Sequence, residues 1–156
     1  MNLCIGWRPQ RFTAVRRAAL PVTLPKVFLW IEEGIRDLRA TGTVLGLPGH
    51  LAQKAEALHL ADRTSEALET INEAVAIAER FEHGYWSAEL HRLRGVFLAA
   101  MGAEETKIEA SFGESIRTAR EQKSVSLQKR AEATYAQYRH QRASGAEGRG
   151  FRLPLW

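Results

Sequence analysis

Three stretches of this chain carry apolar or small residues at one and the same set of offsets. Val27, Ile31, Gly34, Ile35 and Leu38 fall at 0, 4, 7, 8 and 11, and Ala67, Ile71, Ala74, Val75 and Ala78 repeat that spacing. Ile108, Phe112, Ser115, Ile116 and Ala119 repeat it again. These offsets trace one face of a helix with a 3.6-residue period. A chain built this way has to bury several helical faces of similar shape, which helices packed against helices can do.

The intervening segments read as helices too. Pro25 suits a first helical turn and Gly42 a stop, which brackets the first helix. After the turn-rich "TGTVLGLPGH", a second helix places Leu51, Ala55 and Leu58 on one face and ends near residues 61–64. The third is expected from about Ser65 to Phe81, and the fourth covers "YWSAELHRLRGVFLAAMG", residues 85–102. Thr106 and Glu109 have the spacing of a capping box at the start of the fifth. The sixth runs from Ser124 to about Gln141, with Leu127, Ala131 and Tyr138 on its apolar face. No segment predicts a strand.

The third helix superposes on the fifth with a shift of 41 residues, and the second on the fourth with a shift of 40, which sets Ala55 on Gly95. The repeating unit is a helical hairpin. A glycine inside a helix costs about 1 kcal/mol relative to alanine. Gly95 therefore predicts that the second helix of its hairpin lies too close for a larger side chain.

The length of 156 residues fits one domain, and 45% hydrophobic with 26% charged residues is the balance of a folded protein. Cys4 has no partner for a disulfide within the chain, so a reducing, cytoplasmic setting is the expectation. No apolar run approaches the ~20 residues that span a bilayer, and "MNLCIGWRPQRF" lacks a signal-peptide core. Neither membrane insertion nor export is expected. The net charge is +4, and residues 117–152 hold nine Lys or Arg against three Asp or Glu. Such a basic end can take nucleic acid or acidic lipid, but a solvated helix face followed by a loose tail is the preferred reading.

The small residue in each first helix and the apolar ladder on each second helix resemble the tetratricopeptide family. The period of 40–41 residues exceeds the family's usual ~34. "WSAELHRLRGVFLAAMGA" and "ESIRTAREQKSVSLQKRAEATYAQYR" look similar to the C-terminal repeat region of large bacterial regulators that join a class III adenylate cyclase or transcription-regulator domain to a predicted ATPase. That resemblance spans residues 25–152. It implies an all-α array of about six helices in antiparallel hairpins, wound as a right-handed solenoid. It also implies a non-catalytic protein-interaction role, as a detached or truncated part of a signalling protein. The partner, a protein or peptide, is expected on the face formed by the first helices, where the resemblance places Glu56, His59, Glu89 and Arg92. The expected layout is an irregular basic segment at 1–23, the helical repeats at 24–142 and a flexible tail at 143–156. Such a short array is also expected to self-associate through an exposed N-terminal end.

Chemistry finds no foothold in the motifs. Gly42, Gly46 and Gly49 are not followed by the lysine and hydroxyl of a phosphate loop, so they read as an inter-helix loop. Glu56 and His59 form a lone Glu-x-x-His, whereas a di-iron bundle needs two such pairs. His50, His83, His91 and His140 lack ligand spacing and read as solvated or capping groups. Cys4 reads as an inert thiol, and Trp30 and Trp86 as packing residues. The expectation is no enzyme activity, no cofactor and no metal. Nucleic-acid binding by the basic end, and a gene remnant without a role of its own, stand as alternatives.

Overall fold

The computed structural model describes residues 26–81 and 84–144. Those residues form six helices and no strand: α1 over residues 26–40, α2 (Leu47–Leu60), α3 (Thr64–Arg80), α4 (Gly84–Ala100), α5 (Glu105–Glu121) and α6 (Val125–Ala143). The 41-residue shift holds at the level of whole elements, since it carries both ends of α3 onto both ends of α5. The expected segment at 1–23 lies outside the described residues, as does the expected tail at 143–156 beyond its first two residues, of which Ala143 still belongs to α6.

Four of the turns are built alike. Gly42, Asp62, Gly102 and Lys123 each take a positive φ of 54–70° just past a helix end. In each case the next amide donates back to a carbonyl five residues earlier: Thr43 to Leu38 at 3.0 Å, Arg63 to Leu58 at 2.9 Å, Ala103 to Leu98 at 3.0 Å and Ser124 to Ala119 at 2.9 Å. This is the left-handed cap that satisfies the orphan carbonyls of a helix end and turns the chain back sharply. The capping box expected at Thr106 and Glu109 is absent. The helix begins one residue earlier, Glu104 takes the cap position with φ −58° and ψ 132°, and no side chain caps it.

α2 packs chiefly on α3 and α4 on α5, which makes the two hairpins; α3 then packs on α4 and α5 on α6. α2 also touches α4, and α4 touches α6, while α3 and α5 do not meet. The helices therefore lie in two layers, with α2, α4 and α6 side by side and α3 and α5 splayed behind them. Leu51, Leu58, Ile71, Leu90, Val96, Phe97 and Phe112 fill the space between the layers, each at most 2% exposed. Burying each is worth roughly 1.5–3 kcal/mol. Ser115 occupies a position of the apolar face because its hydroxyl, fully buried, donates to the Ala88 carbonyl at 2.6 Å and pins α5 to α4.

Gly95 is the tightest point of the second hairpin. A Cβ there would lie 3.0 Å from Cε1 and Cζ of Phe112 on α5. Its counterpart in the first hairpin, Ala55, is fully buried with Ile71, which the 41-residue shift sets on Phe112. At the equivalent buried positions the first hairpin carries alanine and isoleucine, and the second carries glycine and phenylalanine. Gly49 is a second close contact. It lies inside α2 rather than in a loop, and a Cβ there would come within 2.7 Å of the Trp86 ring. Trp86 packs as expected, but Trp30 does not: it stands 69% exposed on α1.

Candidate interaction face

The layer of α2, α4 and α6 carries a relay of charges that crosses all three helices. Arg92 on α4 donates Nε to Glu89 Oε2 at 3.0 Å and Nη2 to Glu89 Oε1 at 2.7 Å, a two-pronged pairing across one turn. From α6, Arg130 Nη1 donates to Glu89 Oε1 at 3.1 Å. From α2, Glu56 Oε1 stands 4.0 Å from Arg92 Nη2. Arg92 is only 7% exposed, so its charge needs these carboxylates to be tolerated inside the protein. Burial pushes the Glu56 carboxyl above its usual range; Arg92 and Arg130 oppose that shift, and Glu89 reinforces it.

Of the four residues expected on this face, Glu56, Glu89 and Arg92 thus come together. His59 does not join them. Its Nδ1 lies 3.0 Å from the hydroxyl of Thr64, the first residue of α3, and its ring packs on Phe97 with centroids 5.1 Å apart. It ties the α2–α3 turn to the core of α4. Arg130 completes the relay and was not among the expected residues. The signal for it was the same 41-residue shift, which sets Glu89 on Arg130.

His91 corrects a second expectation. It is 9% exposed rather than solvated, and its Nδ1 has no hydrogen-bond partner among the described residues. Burial holds the imidazole below its usual pKa; Arg94 and Arg117 act in the same direction, and Glu114 and Glu79 act against it.

Most arginines of the basic end are engaged within the protein. Arg117 pairs with Glu114 and Glu121, Arg120 with Glu132 at 2.9 Å and Arg142 with Glu105, while Arg139 lies over the Tyr135 ring at 5.8 Å. Among the described residues no group of three or more His, Cys, Asp or Glu is placed to hold a metal ion, and no helix is long and apolar enough to cross a membrane.

No family model matches the chain, and no solved structure matches it. An uncharacterized protein of Rhizobium meliloti (strain 1021) is 35% identical to it over 100 residues, or 64% of this chain. Those residues are 10% of the relative, so the chain spans about a tenth of the length of the protein it matches.

Proposed function

We propose that the chain is a non-catalytic, cytoplasmic protein-interaction module of the tetratricopeptide type, with its hairpins wound as a right-handed solenoid. We place it with the C-terminal repeat regions of cyclase and ATPase-type regulators. The observation that carries this reading is the continuous layer of first helices, α2, α4 and α6. It joins residues from three elements into one half-open polar strip, while α3 and α5 stay behind it. In stacked hairpins such a layer offers a surface wider than any one helix, on which an extended peptide or a helix can lie. The match to a small part of a much longer protein is in keeping with a module of this kind.

The strip is made for contact more than for chemistry. Arg92 is held on both sides by carboxylates, and the groups left at the rim, Glu56 and the 46%-exposed side chain of Arg130, offer one charge of each sign. A partner with a carboxylate beside a cation would match them. The engagement of the α6 arginines by glutamates and Tyr135 favours this reading over nucleic-acid binding, which needs cations open to phosphate. The test is parallel affinity capture from the native cell with the wild type, Arg130→Glu and the neighbouring surface control Lys129→Glu. The expected result is a protein partner retained by the control and lost with Arg130→Glu. An identical set from all three baits would refute the assignment of this face.

A further inference from the structure

α1 repeats the apolar ladder of α3 with a shift of 40 residues, but it is less covered: Ile35 is in the core and Ile31 packs against it, while the edge of the ladder at Val27 and Gly34 is more open than its counterpart on α3. Val27 is 39% exposed, whereas its counterparts Ala67 and Ile108 are 0% and 3% exposed. Trp30, one turn before Gly34 at the edge of this stripe, is 69% exposed. Gly34, the counterpart of the fully buried Ala74, sits in mid-helix, and among the described residues nothing lies within 4 Å of where its Cβ would be. Gly49 in the first turn of α2 and Gly95 in the middle of α4 show what a helical glycine does elsewhere in this protein: each admits an aromatic ring. Gly113 is also open, but it lies on the solvent side of α5, away from the apolar ladder. The opposite flank of α1 is firmly seated, with Ile35 3% exposed in the core, Glu32 paired with Lys54 of α2 and Arg39 paired with Glu73 of α3. A helix seated on one flank thus presents along its other edge one large exposed ring and, one turn away, one glycine notch.

We propose that this stripe is a self-association surface, on which two copies of the chain pair their α1 helices antiparallel about a two-fold axis near residue 32. The stripe is its own complement. Trp30 and Gly34 lie two residues to either side of that point, so each Trp30 enters the notch over the partner's Gly34. A two-fold contact requires this self-matching of one patch. The charges along the same edge agree: Lys26 lies six residues before the axis and Asp37 five after it, which brings each Lys26 to within one residue of the partner's Asp37, in reach of its long side chain. Asp37 is 77% exposed, with Arg36 3.9 Å away as an equally open neighbour. A single helix pair falls at or below the low end of the roughly 1,200–2,000 Å² that stable interfaces bury, so the dimer should be weak and concentration-dependent. It would leave the α2–α4–α6 face free for another partner.

The test is sedimentation equilibrium with light scattering on the full chain, from about 10 µM to ~1 mM, a range that brackets weak association. The wild type should move from monomer mass towards twice that mass. Trp30 is largely exposed and a Cβ at residue 34 meets no described atom within 4 Å, so circular dichroism should show the helicity of Trp30→Glu and Gly34→Gln unchanged. Each should weaken the dimer by about tenfold or more, the scale of one central contact. Lys26→Asp and Asp37→Lys should each weaken it, and the double exchange should restore it. A chain that stays monomeric throughout overturns the proposal and leaves the stripe to another segment or a different protein. A dimer insensitive to both Trp30→Glu and Gly34→Gln overturns it as well, because association would then use another face.

Discussion

Replacing Gly95 tests how the second hairpin closes. A Cβ at this position would lie 3.0, 3.0 and 3.1 Å from three carbons of the Phe112 ring. Carbon atoms rest most favourably about 3.5–4.0 Å apart, so a methyl overlaps the ring by about half an ångström. The ring has little room to yield. Phe112 is fully buried, with Tyr135 and Tyr138 against it at centroid distances of 5.4 and 5.9 Å. Overpacking of this kind costs roughly 1–3 kcal/mol. For Gly95→Ala, a gain of about 1 kcal/mol in helix propensity opposes it, and the variant should stay within about 1 kcal/mol of wild type. Gly95→Val gains less propensity and adds two methyls on a stiff χ1; it should destabilise by about 2 kcal/mol. Phe112→Ile alone should cost roughly 1–2 kcal/mol through the space it leaves. Gly95→Ala with Phe112→Ile recreates the alanine and isoleucine found at the equivalent positions 55 and 71 of the first hairpin, and should be more stable than the sum of its parts by about 1 kcal/mol. Urea melts followed by circular dichroism measure all four. Val tolerated as well as Ala, or a strictly additive double variant, would refute the close-contact reasoning.

Two further predictions concern His91 and Lys123. Because the folded protein holds the His91 imidazole below its ordinary pKa of 6.5, the unfolded chain binds the proton more readily. The stability this residue supports is fully present above pH ~6.5 and falls as pH drops below it, by at most about 1.4 kcal/mol per pH unit. Melts from pH 7.5 to 5 should show that loss in the wild type and a smaller one in His91→Gln; equal slopes would be contrary to the burial described here. Lys123 caps α5 with φ 54°, a left-handed conformation that costs a residue with a Cβ about 1–2 kcal/mol. Lys123→Gly should therefore stabilise by about 0.5–1 kcal/mol in the same urea assay, the strain relieved being partly offset by chain entropy.

The helices and their pairing were legible because each apolar ladder repeats at one spacing, and the 41-residue shift that aligns Ala67 with Ile108 also aligns the observed ends of α3 and α5. Gly95 was legible as well, since a glycine in a strong helical pattern calls for a close neighbour. What failed depended on neighbours far along the chain. Gly49 read as loop because it follows Pro48 in a turn-rich stretch, yet the ring that makes use of it belongs to Trp86, 37 residues later. Trp30 read as a packing residue because it adjoins an apolar stripe, but whether a stripe is covered depends on which helices flank it. The Thr106 box failed because capping is decided by the backbone of Glu104 and not by spacing. Of the polar relay, Glu56, Glu89 and Arg92 were expected. Arg130 was missed because α6 has too weak an apolar pattern to extend the repeat.

The claim that the layer of α2, α4 and α6 is the interaction face is tested most directly by site-specific photo-crosslinking in the native cell. A photoreactive amino acid would replace one exposed residue at a time: Gln53 on α2 and Ala133 on α6 in that layer, Asn72 on α3 and Ala110 on α5 behind it. Adducts of one and the same protein from Gln53 and Ala133, with none from Asn72 or Ala110, are the predicted result. Adducts from Asn72 and Ala110 alone would contradict it.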